Sequence, residues 1–573
     1  MAHTATTDVL IAGAGPVGLS AAAELRRHGV RCRLVDRLPA RLPYAKAVGI
    51  QPRTLEIWDR MGLARTILEA SAVLRGQLVY VNGRERARLD LTLPPEVPYG
   101  FAALPQYDTE RLLEEYVAGL GTRIERGTEL LSFTQDDGGV TARLRTASGT
   151  EEEVRAGYLI GCDGAHSTVR KGLGLTFEGA AFEEEYMLGD VEADWALPHG
   201  YGIRSVHQGA DGTPDDVLVC VPLPGTGRYR MSMLVPPGLS TRTRTRGDGP
   251  PSTTDARGDG DGVAHGLTTD EGRAPELHHL QAVVDRLAPV PAVLSRLRWS
   301  SVFRISHRIV DRYSDGRVFV AGDAAHIHPP TGAQGMNTGV QDACNLAWKL
   351  ALVIRGEAGP ALLATYDAER RPVGEEVVGR TVRHATRGIE ADPDDPRTVL
   401  LREAQLLVGY RDGPLAPVTD VPPGAPGPGD RAPDCGGLTV PASAYPWRLL
   451  DVLRGRADHV IVLYAADPAR LTAAAETVRG LWEADGTARP SLEVIAVLAR
   501  ETAPAPAAPD ALPVPAYRDA AGEFARLYRP EGPTAFILRP DGHLATRFPL
   551  TEPTTLPSLH TWLKTLSTAP ARP

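Results

Sequence analysis

A chain of 573 residues with 42% hydrophobic side chains exceeds one ordinary domain and can bury two or three separate cores. Its 62 Lys+Arg stand against 71 Asp+Glu, a net charge of −9, so the basic excess of a nucleic-acid-binding chain is missing. Five scattered cysteines with no CxxC pair and no His/Cys cluster indicate neither a disulfide framework nor structural zinc, and fit a reducing cytoplasm.

The segment from Asp8 to Arg37 predicts a strand at Val9 to Ala12, a glycine-rich turn, a helix through Arg27 and a second strand from Arg31 to Val35. Val9 to Ala23 is the one stretch resembling an export leader. It contains three glycines and a proline, follows Asp8 and has no Lys or Arg before it, which argues against export. No run of about 18 uncharged apolar residues predicts a membrane span. In Gly13-Ala14-Gly15-Pro16-Val17-Gly18 the first glycine permits a tight turn and the second lets a pyrophosphate approach the backbone. The third lets helix and strand pack closely. Asp36 ends the second strand, where a carboxylate can bond a ribose hydroxyl. This unit reads as a dinucleotide site and is silent on FAD against NAD.

A loop from Tyr44 to Glu56, carrying Lys46 and Arg53, leads into a helix to about Met61, and two short strands are expected between Leu78 and Phe101. Thr109 is the expected cap of a helix to Leu120. Strands near Arg123, Leu130 to Gln135, Val140 to Thr146 and Glu152 to Ile160 reach Asp163-Gly164, a turn before a Ser167-capped helix. From about Gly174 to Arg304, alternating strands at Tyr186 to Val191, Gly202 to His207, Val217 to Leu223 and Tyr229 to Val235 predict an antiparallel sheet. Residues 240–266 are almost devoid of apolar side chains and predict a mobile surface insertion. A helix around Leu280 to Leu297 and a strand from Val302 to Ile309 follow.

Val318 to Val320 then reads as a short buried strand that Gly322-Asp323 ends, before a Pro/Gly-rich loop and a helix from about Val340 to Ile354. An ionised Asp323 can accept hydrogen bonds from sugar-like hydroxyls, each contributing roughly 1.5–3 kcal/mol. Gly332, Gly335 and Gly339 are read as leaving room for a flat ligand, with helix-start N–H groups favouring its electron-rich edge. His326 and His328 have no third ligand nearby in sequence, which argues against a metal. Tyr366 to Pro372 lies on a long helix, and Val421 to Asp434 reads as a linker. Beyond it, strands at His459 to Tyr464, Leu492 to Val497 and Thr534 to Leu538 alternate with helices near Ala469 to Trp482 and Ala521 to Tyr528. Arg539 to His543 reads as a hairpin turn.

Taken in order, the Gly13–Gly18 turn, Asp163-Gly164 and Gly322-Asp323 resemble the motifs of the single-component FAD-dependent aromatic hydroxylases of the phenol hydroxylase and pentachlorophenol monooxygenase type. The resemblance implies an α/β fold: a Rossmann-like FAD-binding domain of the glutathione reductase and p-hydroxybenzoate hydroxylase type, an interleaved antiparallel-sheet substrate domain, and a C-terminal thioredoxin-like domain. It divides the chain into 1–75, 100–178 and 300–395 for FAD, 76–99 and 179–299 for substrate, a linker at 396–434, and 435–573. Having no CxxC, the last domain is expected to pack or to form a homodimer.

By the same resemblance the cofactor is held by Gly13, Gly15, Pro16, Gly18, Asp36 and Arg37, and by Gln106 and Arg111 near the ribityl chain and pyrophosphate. Asp163 lies near the pyrophosphate and the NAD(P)H path, with Gly322, Asp323, Pro330, Gly332, Gly335, Met336 and Asn337 around the flavin. The loop arginine of the family is absent here, and Lys46 or Arg53 must supply its charge. The implied reaction uses NADPH or NADH to reduce FAD. O2 then adds at flavin C4a and the hydroperoxide oxygenates an electron-rich aromatic small molecule. Tyr201, Arg204, His207, Tyr229 and His307 are candidates for handling the substrate proton by location on the sheet. A Baeyer–Villiger or epoxidising oxygenase fits the same scaffold, as does a flavin-binding regulatory or assembly protein without turnover. The halogenase signature Trp-x-Trp-x-Ile-Pro is missing. Pro/Ala/Arg-rich composition suggests, by analogy, a polyketide-like substrate and antibiotic biosynthesis.

Overall fold

The computed structural model describes residues 5–43, 47–212, 214–236, 239, 274–387, 392–441, 443–483, 492–500 and 512–550. The expected insertion at 240–266 and Lys46 lie outside them. The chain builds on a parallel stack of strands, ordered Val318–Val320, Glu151–Gly161, Ala5–Ala12, Cys32–Asp36 and Ile124–Arg126. Val9, Leu10, Ile11, Leu159, Ile160 and Val318 are wholly buried, the two-sided burial that a helix-covered parallel sheet imposes. Register pairs Ala12 with both Gly161 and Val35, and Gly161 with Val320. Four strands therefore end together, placing Gly13, Asp36, Cys162-Asp163 and Ala321-Gly322 along one edge. Crevices outside the carboxyl ends of such strands are where open α/β sheets bind ligands.

Two strands of 18 residues each, Phe177–Asp194 and Val293–Val310, carry the chain into a second eight-stranded sheet. This sheet is antiparallel except where Tyr201–Gln208 runs parallel to Gly76–Val81. The helix Leu277–Leu287 covers one side: Met187, Met231, Met233, Ile203 and Cys220 pack with Leu280 and Val283. The expected helix to Leu297 ends ten residues early. Pro289 and Pro291 stop it, and Val293 onward extends as strand.

A third sheet occupies the C-terminal region, in the order Leu438–Thr439, Ala516–Asp519, Leu492–Leu498, His459–Ala465, Thr534–Leu538 and Leu544–Pro549. The three strands Ala516–Asp519, Leu492–Leu498 and His459–Ala465 run parallel, and the last two antiparallel. The stretch read as a linker is packed rather than free. Ala425 to Gly429 are buried, and Gly429 and Ala432 donate to Leu544 O at 2.7 Å and Gly542 O at 3.0 Å.

Two helix starts also move. The helix expected from Val340 begins at Gly335, so Asn337, Thr338 and Gln341 are buried polar residues of its first turns. Thr109 is not a cap: the helix runs Gln106–Gly119 behind Pro105, with Thr109 fully buried inside it.

Candidate functional site

Three glycines of the first turn take three different roles. Gly13 has φ +99°, and a Cβ there would meet the Cys162 backbone; a Cβ on Gly18 would meet the Gly13 carbonyl. Around Gly15 a Cβ would meet nothing within 4 Å, so the backbone at the start of the Pro16–Arg27 helix lies open to a ligand. That opening faces the positive end of a helix, which favours an anion. Asp36 accepts from Ala14 N at 2.7 Å and Leu38 N at 2.8 Å, which fixes its carboxylate beside the turn, while Arg37 is exposed.

Asp163 stands at the neighbouring strand end. It accepts from Ser167 Oγ at 2.5 Å, Thr168 N at 2.7 Å and Val169 N at 3.1 Å. Burial pushes its carboxyl above the usual range against these bonds. Burial also raises the Cys162 thiol, leaving it protonated at neutral pH. Arg170, behind the turn, is buried over the Phe177 ring.

At the next strand end, Gly322 has φ +61° and donates its N–H to Asp342 at 3.1 Å. Asp323 is exposed although Gly322, Ala324 and Ala325 around it are buried, so the turn presents one carboxylate to the crevice. Pro330 and Gly332 are exposed further along the loop, and Gly332 and Ala333 are both left-handed, at φ +73° and +55°. The loop is clasped to the 49–51 segment. Asn337 donates to Gly49 O at 3.0 Å and Ala333 O at 2.7 Å and accepts from Gln51 N at 2.9 Å, while Gln51 Nε2 reaches Gly332 O at 2.5 Å. Met336 is buried beside it.

The glycines of this loop meet protein on the side where a Cβ would stand. It would face the Glu403 carboxylate at Gly332, the His328 ring at Gly335 and Val17 at Gly339. The reading that they clear space for a flat ligand is corrected accordingly at Gly332 and Gly339, where close packing leaves no room for a Cβ, whereas at Gly335 a Cβ would make an ordinary contact. Gln106 donates to Glu110 at 2.8 Å, and Arg111 is engaged along its own helix by Glu115 at 3.0 Å and Asp108 at 3.7 Å.

Strand register sorts the five sheet candidates. Residues alternating with Met231, Ile203 and Val302 face away from the Leu277–Leu287 helix; a Cβ on Gly189 would strike Leu280, so Asp190 points the other way. That other side looks toward the flavin-type domain, since Arg228 donates to Tyr107 Oη at 3.4 Å and burial followed by the Asp190 charge raises the Tyr107 phenol. Leu188, Phe303 and Ile305 cluster there with Phe182, Tyr186 and Trp299. Within it Arg230 pairs with Asp190, Trp299 Nε1 donates to Asp190 at 2.9 Å, and the Arg230 guanidinium lies 4.7 Å from the Trp299 ring centre.

Arg204 and His307 lie on this side. Tyr201, His207 and Tyr229 lie on the helix side: Tyr201 bonds Asp90 at 2.5 Å, His207 bonds Asp215 at 2.5 Å on the surface, and Tyr229 packs edge-on against Trp195. The register thus removes these three from the crevice. A cavity elsewhere, between the Pro52–Arg60 helix and the Arg539–His543 hairpin, is lined by Arg53, which is buried and bonded to Glu56 at 2.9 Å and Asp541 O at 2.6 Å and so turns from the flavin loop, and by none of the other cofactor candidates.

These features fit FAD: an open backbone at a helix start, a fixed carboxylate at the second strand, and an exposed carboxylate at another strand end of the same edge. The family described as FAD binding domain matches residues 6–255 and 267–381. The chain belongs to this family, as a flavin-dependent aromatic monooxygenase. A flavin-dependent monooxygenase of Mycobacteroides abscessus is 35% identical over 461 residues, covering 78% of this chain and 86% of the relative. Pentachlorophenol 4-monooxygenase of Sphingobium chlorophenolicum is 33% identical over 500 residues, 84% of each chain. Among solved structures, a ternary complex of aklavinone-11 hydroxylase with FAD and aklavinone superposes with TM-score 0.74 at 26% identity, covering 98% of this chain and 99% of that one. No helix among the described residues of this monooxygenase is long and apolar enough to cross a membrane.

The resemblance missed Gln51, Asp342 and Arg370, whose contacts organise the second wall. Their signal in the sequence was weak: Asp342 and Arg370 are polar residues at buried helix positions, and Gln51 is a buried amide between a short strand and the Pro52–Arg60 helix.

Proposed function

We propose that this monooxygenase hydroxylates an electron-rich aromatic ring, phenolic or polyketide-like, held between the parallel-strand ends and the flavin-facing side of the large sheet. The observation that carries this is the side chosen by register: an aromatic and aliphatic wall enclosing one buried Asp190–Arg230 pair. A flat hydrophobic substrate gains area and ring contacts there, while the fixed polar pair gives it orientation.

Bound FAD supplies the oxygen-activating chemistry, with NADH or NADPH as electron source and O2 as oxidant. Gly13, Gly15, Pro16 and Gly18 receive its pyrophosphate at the helix start and Asp36 its ribose. Asp163 borders the pyrophosphate, Asp323 accepts from the ribityl hydroxyls, and Met336 and Asn337 line the ring. Of the sheet candidates, Arg204 and His307 are the two placed to meet substrate. Burial, then Arg308, lowers the His307 pKa, and its Nδ1 makes no hydrogen bond among the described residues, so a neutral imidazole is on hand to accept a phenol proton.

The domain division given above is part of this proposal, with residues 396–434 packed onto their neighbours rather than free. The C-terminal strand order, with its central parallel pair flanked by an antiparallel hairpin, supports a thioredoxin-like reading. The deciding experiment measures NADH and NADPH oxidation with and without phenols and polycyclic phenols, followed by product mass. Substrate-stimulated oxidation with a gain of one oxygen on the ring is expected. Flavin-bound protein that oxidises neither nicotinamide faster with any aromatic, and yields no oxygenated product, would overturn the proposal.

A further inference from the structure

Beneath the Gly322-Asp323 turn, buried polar groups run without a break to the C-terminal sheet. Asp342 has no exposed side-chain surface and takes three donors: Gly322 N at 3.1 Å, His326 Nε2 at 2.8 Å and Arg370 Nε at 2.7 Å. Arg370, equally buried, extends its other nitrogens to Tyr410 Oη and to Thr338 O, each at 3.1 Å. Thr338 follows Asn337, the residue that clasps the loop.

The Tyr410 ring in turn rests on the C-terminal hairpin. Its centre lies 4.4 Å from the His543 ring and 5.2 Å from the Arg539 guanidinium. Arg539 is gripped by Glu369 at 2.7 and 2.8 Å and by Asp541 at 2.5 Å, and His543 Nδ1 lies 3.2 Å from Asp541. Glu369 is also held by Lys349 and Asn345, both at 2.8 Å, from the helix that carries Asp342.

We propose that the Arg539–His543 hairpin is a positioning element for the cofactor: through Tyr410 and Arg370 it holds Asp342, which grips Gly322 N–H and so aims Asp323. The inference rests on the reading of Asp323 as the ribityl acceptor. Buried ion pairs in a low dielectric tolerate few arrangements, because moving one partner strands the next without its bond. Gly322 needs such a clamp, since its left-handed conformation and single N–H contact set where the next side chain points. The C-terminal region therefore contributes to flavin binding over a chain of contacts rather than by touching the flavin.

The test is a double-mutant cycle read by FAD binding, not turnover. Tyr410→Phe keeps the ring and removes the hydroxyl bonded to Arg370. Its dissociation constant for FAD, from flavin fluorescence quenching, is expected to rise about tenfold, with a shifted visible spectrum of bound flavin, a change that a lowered apoprotein melting temperature alone would not produce. Combined with Asp323→Ala it should add little, because the hydroxyl acts through Asp323. Combined with Gly15→Ala, at the pyrophosphate, the losses should multiply. If Asp323→Ala weakens FAD but Tyr410→Phe does not, or if those two losses multiply, the positioning proposal falls alone. If Asp323→Ala binds FAD as tightly as the unaltered protein, the ribityl reading falls and takes this proposal with it. Should Tyr410→Phe fail to fold, His543→Gln removes the ring beneath Tyr410 and is read in the same way.

Discussion

The two walls of the cofactor crevice each carry a carboxylate the chemistry does not use directly, and they are treated oppositely. Asp163 is satisfied by neutral donors alone, a hydroxyl and two backbone N–H groups, and burial lifts its pKa. Asp342 suffers burial as well, yet Arg370 and His326 outweigh it and hold the carboxyl below its ordinary value. The difference teaches that burial acts on both carboxyls, and that only at Asp342 do facing cations outweigh it. It also separates two ways of shaping a turn. The Asp163 wall caps a short helix of its own, whereas the Asp342 wall ties together the Gly322 turn and the Ala364–Arg387 helix.

That contrast breaks most readily at Asp342. Asp342→Asn leaves Arg370 buried without its anion and should cost about 3–5 kcal/mol in denaturant unfolding. A loss no larger than that of Asp163→Asn, about 0.5–1.5 kcal/mol for neutral hydrogen bonds, would erase the distinction between the walls. Next in size is Asp323→Ala, which should weaken FAD by ten- to over a hundredfold, roughly 1.5–3 kcal/mol. Equilibrium dialysis against FAD checks it.

Gly18→Ala forces a methyl onto the Gly13 carbonyl and should destabilise the apoprotein by about 1–3 kcal/mol. Gly15→Ala enters open space and should leave the melting temperature alone while weakening FAD. Equal thermal losses for the two would show that Gly15 is also a packing glycine. The smallest effect is in the pH dependence. Asp342, with a lowered pKa, contributes stability above its unfolded value near 3.8 that is lost as pH falls through its folded value. Asp163, with a raised pKa, binds its proton more tightly when folded, so its contribution falls as pH rises from 3.8 through the folded value. Denaturant unfolding from acid to neutral pH should show the two slopes with opposite sign, each flattened by its own Asn variant.

Much of the cofactor wall was legible because it is written in local conformation. Gly13, Gly15 and Gly18 sit in one turn, and Asp36 ends the next strand, so spacing along the chain already implies their proximity. Arg539–His543 was read correctly as a hairpin for the same reason, yet nothing near it in sequence revealed that it presses on Tyr410. The prolines at 289 and 291 were visible, and the helix drawn through them is an error of reading rather than a hidden contact.

By itself, the sequence determined the parallel-strand unit, its glycine turn and the order of the motifs, since these depend on φ/ψ freedom and on apolar runs within a few residues. Only the tertiary structure decided which side of the large sheet holds Arg204 and His307, and that Tyr201, His207 and Tyr229 turn away from the crevice. It alone joined Asp342 to Arg370 and the C-terminal hairpin to both. Strand register and the pairing of buried charges arise from the packing of segments far apart in the chain, where a one-residue shift reverses a side chain and leaves a cation without its partner.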